Sequence, residues 1–194
     1  MDKFSYSLGV VLAQNLKDQS ITSFVPTDLA KGIEDVIQNK DLQLSPQEAN
    51  QYIQNYLREA AMKAHHGNIE AGAKFLEENG KREEVTELES GLQYEVLKEG
   101  DGPKPNATDK VTTHYHGTLI DGTVFDSSVT RGEPATFPVN GVIQGWVQAL
   151  QLMPVGAKWR LYVPHNLAYG DQAAGPTIKP FSTLIFDVEL LNIN

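Results

Sequence analysis

Residues 110–128 read KVTTHYHGTLIDGTVFDSS. Apolar and polar residues alternate on both sides of Asp121-Gly122, and an Asp-Gly pair between alternating runs predicts a two-residue β-hairpin. Outward from this stretch the same period recurs. GLQYEVLKEG (91–100) alternates and ends in the turn cluster GDGPKP. KWRLYVP (158–164) and STLIFDVELLNI (182–193) are rich in β-branched and aromatic residues and predict two further strands. Just ahead of the first of these, GWVQALQLMPVG (145–156) places Trp146, Ala149, Leu150 and Met153 at helical spacing, and Pro154 stops the helix. The C-terminal half therefore reads as an antiparallel sheet with one short helix, an α+β arrangement.

The first ~85 residues follow a different period, close to 3.6. Phe4, Leu8, Val11, Leu12 and Leu16 form one helical stripe, and Leu29, Ile33, Val36 and Ile37 repeat the pattern. Gly9 and Ala13, four apart beside the first stripe, let another helix approach closely. Ser45-Pro46 with Glu48 is a capping box with proline at the first helical position. Ala49, Ile53, Tyr56, Ala60 and Ala64 continue on one side, followed by Ile69, Ala73 and Leu76. If that helix runs to Glu84 it spans roughly 40 residues, about 60 Å. Gly67-Asn68 is the place where it would break. Two short helices cannot cover so long a stripe, which points to packing against a second copy of the chain. The segment EEVTELES (83–90) reads as the junction, giving a helical dimerisation domain over 1–87 and a sheet domain over 88–194.

Composition narrows the function. A net charge of -9 argues against a phosphate-backbone binder, so no nucleic-acid partner is expected. No apolar run is long enough to span a membrane, and the segment MDKFSYSLGVVLAQNLKDQS lacks the features of a secretory signal. The expected compartment is the cytoplasm, or the periplasm if a signal has been removed. The chain has no cysteine, hence no disulfide, thiol nucleophile or thiolate metal site. Of the five histidines, His65 and His66 are adjacent on a helix and do not share a face. His114 and His116 share a strand face but lack a carboxylate or cysteine companion in sequence, so no metal and no cofactor are expected. No nucleophile-elbow, Walker or dinucleotide motif is present.

The remaining feature is a set of aromatics near turns: Tyr115, Phe125, Trp146, Tyr169 and Phe186, with Val142 and Ile143 among them. Composition alone is compatible with plain sheet core. Asp126 directly after Phe125, with Arg131 five residues on, points to a carboxylate that needs a partner beside an apolar cleft.

VTTHYHGTLIDGTVFDSS, FPVNGVIQGWVQALQLMPVGAKWRLYVP, LAYG and STLIFDVELL closely resemble, in order and without a large gap, the FKBP-type peptidyl-prolyl cis-trans isomerases. In the helical half, YSLGVVLAQNL and AGAKFLEENGKREEV are similar to the bacterial Mip/FklB subclass. The resemblance implies the FKBP fold, homodimers joined through the N-terminal helices, and a long helix carrying each catalytic domain. It implies a pocket with Trp146 as floor and Tyr115, Phe125, Val142, Ile143, Tyr169 and Phe186 as sides. Asp126 matches the pocket carboxylate, Arg131 its partner, and Ile178 the flap loop. The Ile143 N–H and the Tyr169 hydroxyl match the groups that bond the peptide. Tyr115, Phe125, Asp126, Trp146, Tyr169 and Phe186 are thus expected to be catalytic, and Arg131, Val142, Ile143 and Ile178 to bind substrate. Unfolded or proline-containing polypeptides are the implied substrates, and macrolides such as rapamycin are implied ligands. The alternative is a non-catalytic proline-peptide binding module or holdase chaperone. Ala135, Ala174, Lys179 and Gln144 depart from common family residues. The first three of these bear on the rim and flap, and so on macrolide affinity and sequence preference.

Overall fold

The computed structural model describes every residue except Ser20 and Thr22. The chain packs as two compact units, Met1–Ala60 and Ala61–Asn194. The first contains α1 (Lys3–Asp18), α2 (Pro26–Ile37) and most of α3 (Pro46–Ala64). Helices α1 and α3 start at side chains that bond orphan N–H groups, and α2 starts at a proline, which has no N–H to satisfy. The Asp2 carboxylate accepts from the Ser5 N–H at 2.8 Å, and Pro26 occupies the first position of α2. Ser45 and Glu48 form the expected reciprocal box, with Glu48 N donating to Ser45 Oγ at 3.2 Å and Ser45 N to Glu48 Oε2 at 2.9 Å. The apolar stripes of this unit, in contrast, are at most half-buried, as at Leu12, Leu16 and Leu29. Among the described residues of this unit the only buried one is Asp35, bonded to Lys31.

The single helix expected from Ser45 to Glu84 is two helices. α3 ends at Ala64, His65 leaves helical geometry at φ -113 and ψ 23, and α4 runs from His66 to Asn79. The break precedes Gly67-Asn68 by two residues. The cause is tertiary, because α4 is docked on the sheet. Gly72 lies so close to Thr183 that a Cβ there would stand 2.4 Å from its Oγ1. The Phe75 ring lies 5.9 Å from that of Tyr162, and Asn79 Nδ2 donates to Gln93 Oε1 at 2.9 Å. Packing therefore divides the chain inside α3, where the sequence predicts a domain boundary after residue 87.

The second unit is built on a seven-stranded antiparallel sheet. Its strands are β1 (Val85–Glu87), β2 (Gln93–Lys98), β3 (Lys110–Leu119), β4 (Val124–Ser127), β5 (Ala135–Pro138), β6 (Lys158–Val163) and β7 (Leu184–Ile193). Their order is β1-β2-β6-β7-β3-β4, with β5 also pairing β3. The expected junction 83–90 contributes β1, because Val85 and Thr86 suit an edge strand and pair with Glu95 and Tyr94. A four-residue helix, α5 (Ser128–Arg131), separates β4 from β5, and α6 (Gln144–Leu152) supplies the short helix expected there. Trp146, Ala149, Leu150 and Met153 are buried in one core with Leu92, Leu161, Leu184 and Val188.

The β3–β4 turn is longer than expected. Gly122 N donates to Leu119 O at 3.0 Å and Leu119 N to Thr123 O at 2.9 Å, so Ile120–Gly122 form a three-residue loop. Of these three residues only Gly122 has a positive φ, at 85°. A two-residue turn of this kind would require the same of Asp121, which has a Cβ to accommodate. Asp121 instead uses its carboxylate to accept from the Thr123 N–H at 2.9 Å. The loop keeps the hairpin and shifts its register. Thr118 pairs with Val124 and Gly117 with Asp126, leaving Phe125 as the extra residue of a bulge.

Candidate active site

That bulge is the key to the site. Successive strand residues normally face opposite sides of a sheet. The extra residue re-aims the chain, so that the adjacent Phe125 and Asp126 both line the same cavity. Opposite them, period-2 alternation on β3 puts Tyr115 and Gly117 on the cavity side. His114 and His116 face the other way, bonded at 3.0 Å to Ser128 and Ser127. Phe186 on β7 pairs with Gly117 and completes this wall.

The floor comes from α6. Val142 and Ile143 lead into the helix, and its first turn closes with Trp146 N donating to Ile143 O at 2.9 Å. Gly145 allows that turn to press against β6, since a Cβ there would lie 2.6 Å from Val163 Cγ1. Trp146 is consequently 4% exposed. Its ring meets those of Tyr115, Phe137 and Phe186 edge-on, with centroids 5.4, 5.5 and 5.2 Å away. Edge-to-face contacts of this sort fix ring orientations beyond what burial alone does. The indole Nε1 is buried and has no hydrogen-bond partner among the described residues.

One polar cluster borders the cavity. The Asp126 carboxylate accepts from the Tyr115 hydroxyl on one oxygen and from Arg131 Nη1 on the other. Arg131 Nη2 also donates to the Tyr115 hydroxyl at 3.0 Å, and the guanidinium lies 5.6 Å from the Tyr115 ring centroid. Arg131 reaches back because α5 is only one turn long. Ser127 Oγ caps it by accepting from Thr130 N at 3.1 Å, and Gly132 ends it in the left-handed conformation, φ 76°. Burial pushes the Asp126 carboxyl up, but the bonds from Tyr115 and Arg131 and the charge of Arg131 outweigh it, so the acid is stronger than an ordinary aspartate. Burial, then the bond to Asp126, push the Tyr115 phenol up.

The cavity measures about 640 Å³, well within the range of small-ligand sites. Nine of the ten residues singled out in the sequence line it: Tyr115, Phe125, Asp126, Val142, Ile143, Trp146, Tyr169, Ile178 and Phe186. The tenth, Arg131, touches it through Asp126 and Tyr115. Ala135 and Ala174 lie on the lining as well. Sequence reasoning missed Phe137 and the loop residues Gly175, Pro176 and Thr177. Alternation along β5 puts Phe137 on the same face as Ala135, but four residues ending in Pro138 are too few for that period to stand out in the sequence. The loop residues carry no periodic signal.

Comparison with known proteins agrees with this geometry. Residues 102–191 match the family model described as FKBP-type peptidyl-prolyl cis-trans isomerase. Residues 1–96 match the model of the domain amino-terminal to it. The chain is 48% identical over 193 residues to the FKBP-type 22 kDa peptidyl-prolyl cis-trans isomerase of Escherichia coli, covering 97% of this chain and 93% of that one. It is 41% identical to the outer membrane protein MIP of Legionella longbeachae over 99% of this chain and 85% of the other. Among solved structures, Escherichia coli FkpA superposes with a TM-score of 0.66 at 37% identity, covering 98% of this chain and 93% of FkpA. A peptidyl-prolyl cis-trans isomerase from Pseudomonas syringae superposes at 0.62 and 40% identity, covering 66% of this chain and 95% of the other.

Proposed function

The chain belongs to the FKBP-type peptidyl-prolyl cis-trans isomerases and is such an enzyme, and from that premise we propose that it acts as a homodimer on unfolded, proline-containing polypeptides through the cavity floored by Trp146. The observation that carries the site assignment is the cavity itself: aromatic rings on the floor and walls, with one carboxylate at the border whose two oxygens are both already bonded.

Isomerisation needs no covalent step. The amide resonance that must be broken sets a barrier of about 18–20 kcal/mol. Catalysis consists in binding the twisted amide better than either planar form. A twisted amide has less charge separation than a planar one, so the apolar walls suit it. Trp146, Phe125 and Phe186 hold the proline ring, with Val142 and Ile178 beside them. The Ile143 N–H and the Tyr169 hydroxyl donate to the flanking peptide carbonyls and orient the chain. Both Asp126 oxygens already accept hydrogen bonds, and its lowered pKa makes it a poor base. Its role is electrostatic. It holds Tyr115 in place, and Arg131 holds Asp126. No proton transfer and no cofactor enter this scheme. All ten residues fall in 88–194, the stretch proposed to carry the chemistry, while 1–87 joins and spaces the subunits.

The dimer rests on the helical unit. Phe4, Leu8 and Val11 are 72, 57 and 60% exposed, and no apolar side chain described in Met1–Ala60 is buried. A unit of about 60 residues with no core of its own needs a partner surface to hold its helices. Sedimentation of the full chain at micromolar concentration tests this. A dimer that dissociates on Leu8→Glu supports the proposal, and a monomeric wild-type chain contradicts it. Among the described residues no helix is long and apolar enough to cross a membrane. The cytoplasm is the compartment proposed, and cell fractionation is the test.

A further inference from the structure

The loop 171–180 forms one side of the cavity with Ala174, Gly175, Pro176, Thr177 and Ile178. It closes on itself, Ala174 N donating to Ile178 O at 2.9 Å and Ile178 N to Ala174 O at 3.3 Å. Its C-terminal root is unusual. Phe181 is 3% exposed and has φ 60°, a left-handed conformation that a bulky side chain with a Cβ avoids. Rotation of the peptide unit between Pro180 and Phe181 would relieve that φ. The unit is held from both ends. Its N–H donates to Gly170 O at 2.7 Å, and its carbonyl accepts from Asn68 Nδ2 at 2.9 Å, across 112 residues of sequence. Asn68 lies in the first turn of α4, and the close seat of Gly72 against Thr183 fixes that helix beside the same segment.

We propose that Asn68 is a positioning residue for the isomerase pocket: its side-chain amide holds the Pro180–Phe181 peptide in the orientation that seats the loop 171–180 at the cavity. This rests on the assignment of the pocket above. It makes α4 part of the support of the active site as well as a spacer. Gly170 and Asn68 each fix one end of a peptide whose relaxed orientation differs from the one observed.

The test uses the full chain with Asn68→Ala, which removes the donor while favouring the helix, and Asn68→Asp, which keeps the shape but places an acceptor against the carbonyl. The readouts are amide hydrogen exchange and kinetics on a Leu-Pro tetrapeptide, with Ile178→Ala as a control inside the pocket. Loss of one such bond predicts exchange at Phe181, Ala174 and Ile178 faster by about two- to tenfold, and KM raised by a similar factor, with kcat nearly unchanged. Unchanged exchange at Phe181 in both variants overturns the role of Asn68 and leaves the pocket assignment standing. Faster exchange with KM unchanged overturns the positioning role while Ile178→Ala still raises KM. If Ile178→Ala also leaves KM unchanged, the pocket assignment fails with it.

Discussion

The Phe125 ring lies directly on the backbone of Gly117: a Cβ on Gly117 would stand 2.6 Å from Phe125 Cε2 and 2.7 Å from its Cζ. The same hypothetical atom would come within 3.1 Å of Phe186 Cε1. Glycine in a central strand ordinarily weakens it. Here it makes room for two aromatic walls whose centroids are 5.4 Å apart. Gly117→Ala therefore displaces both rings. Overpacking of this kind costs about 1–3 kcal/mol. We expect kcat/KM on a Leu-Pro tetrapeptide to fall by about tenfold or more. Activity and stability both equal to wild type would show that the rings are not fixed by this contact.

Trp146→Ala opens the floor and removes three edge contacts with neighbouring rings. Loss of a buried tryptophan costs about 3–5 kcal/mol, so the variant should unfold at markedly lower urea. Trp146→Phe, which retains an apolar ring, should stay folded with reduced turnover. The pair separates stability from function. Full turnover in a folded Trp146→Phe chain would mean that the indole is core filling and not substrate contact.

Asp126→Asn keeps the shape of the side chain and removes its charge. Its partner Arg131 is half exposed, which weakens the pair through solvent screening. We expect kcat/KM to drop by about three- to tenfold without vanishing. A loss of a thousandfold or more in a chain with native circular dichroism would restore the general-base role rejected above.

The same carboxyl gives a pH dependence with a definite sign. Its folded pKa lies below the ordinary value of 3.8. Its contribution to stability is thus fully present above that value and is lost as pH falls through the folded one. Urea midpoints of wild type and Asp126→Asn should differ at pH 6 and converge toward pH 2. A gap that widens on acidification contradicts the assigned shift.

Much of this was legible in the sequence because the signals are local. Alternation around Asp121-Gly122 gave the hairpin, and the spacing Trp146, Ala149, Leu150 and Met153 gave α6. The ten site residues came from the resemblance of separated motifs, and the fold brings them to one cavity and its border. What escaped depends on contacts between distant residues. The turn gained a residue because Asp121 stays out of the left-handed region. The bulge at Phe125, which aims two adjacent side chains one way, leaves no mark on the alternation around it. β5 is four residues long and ends in Pro138, so its period is too brief to register. The helical stripe runs on past His65, where the chain leaves helical geometry, because the docking of Asn68 on Pro180 and of Gly72 on Thr183 is invisible from within the helix.

The most direct measurement is the cis-to-trans rate of a Leu-Pro tetrapeptide with the full chain, in the absence and presence of saturating rapamycin, while Trp fluorescence is followed. The account predicts catalysis that the macrolide abolishes, together with an emission change that Trp146→Phe removes. Catalysis that persists at saturation, with the bound macrolide confirmed by that emission change, would place the reaction outside the cavity floored by Trp146 and contradict the account.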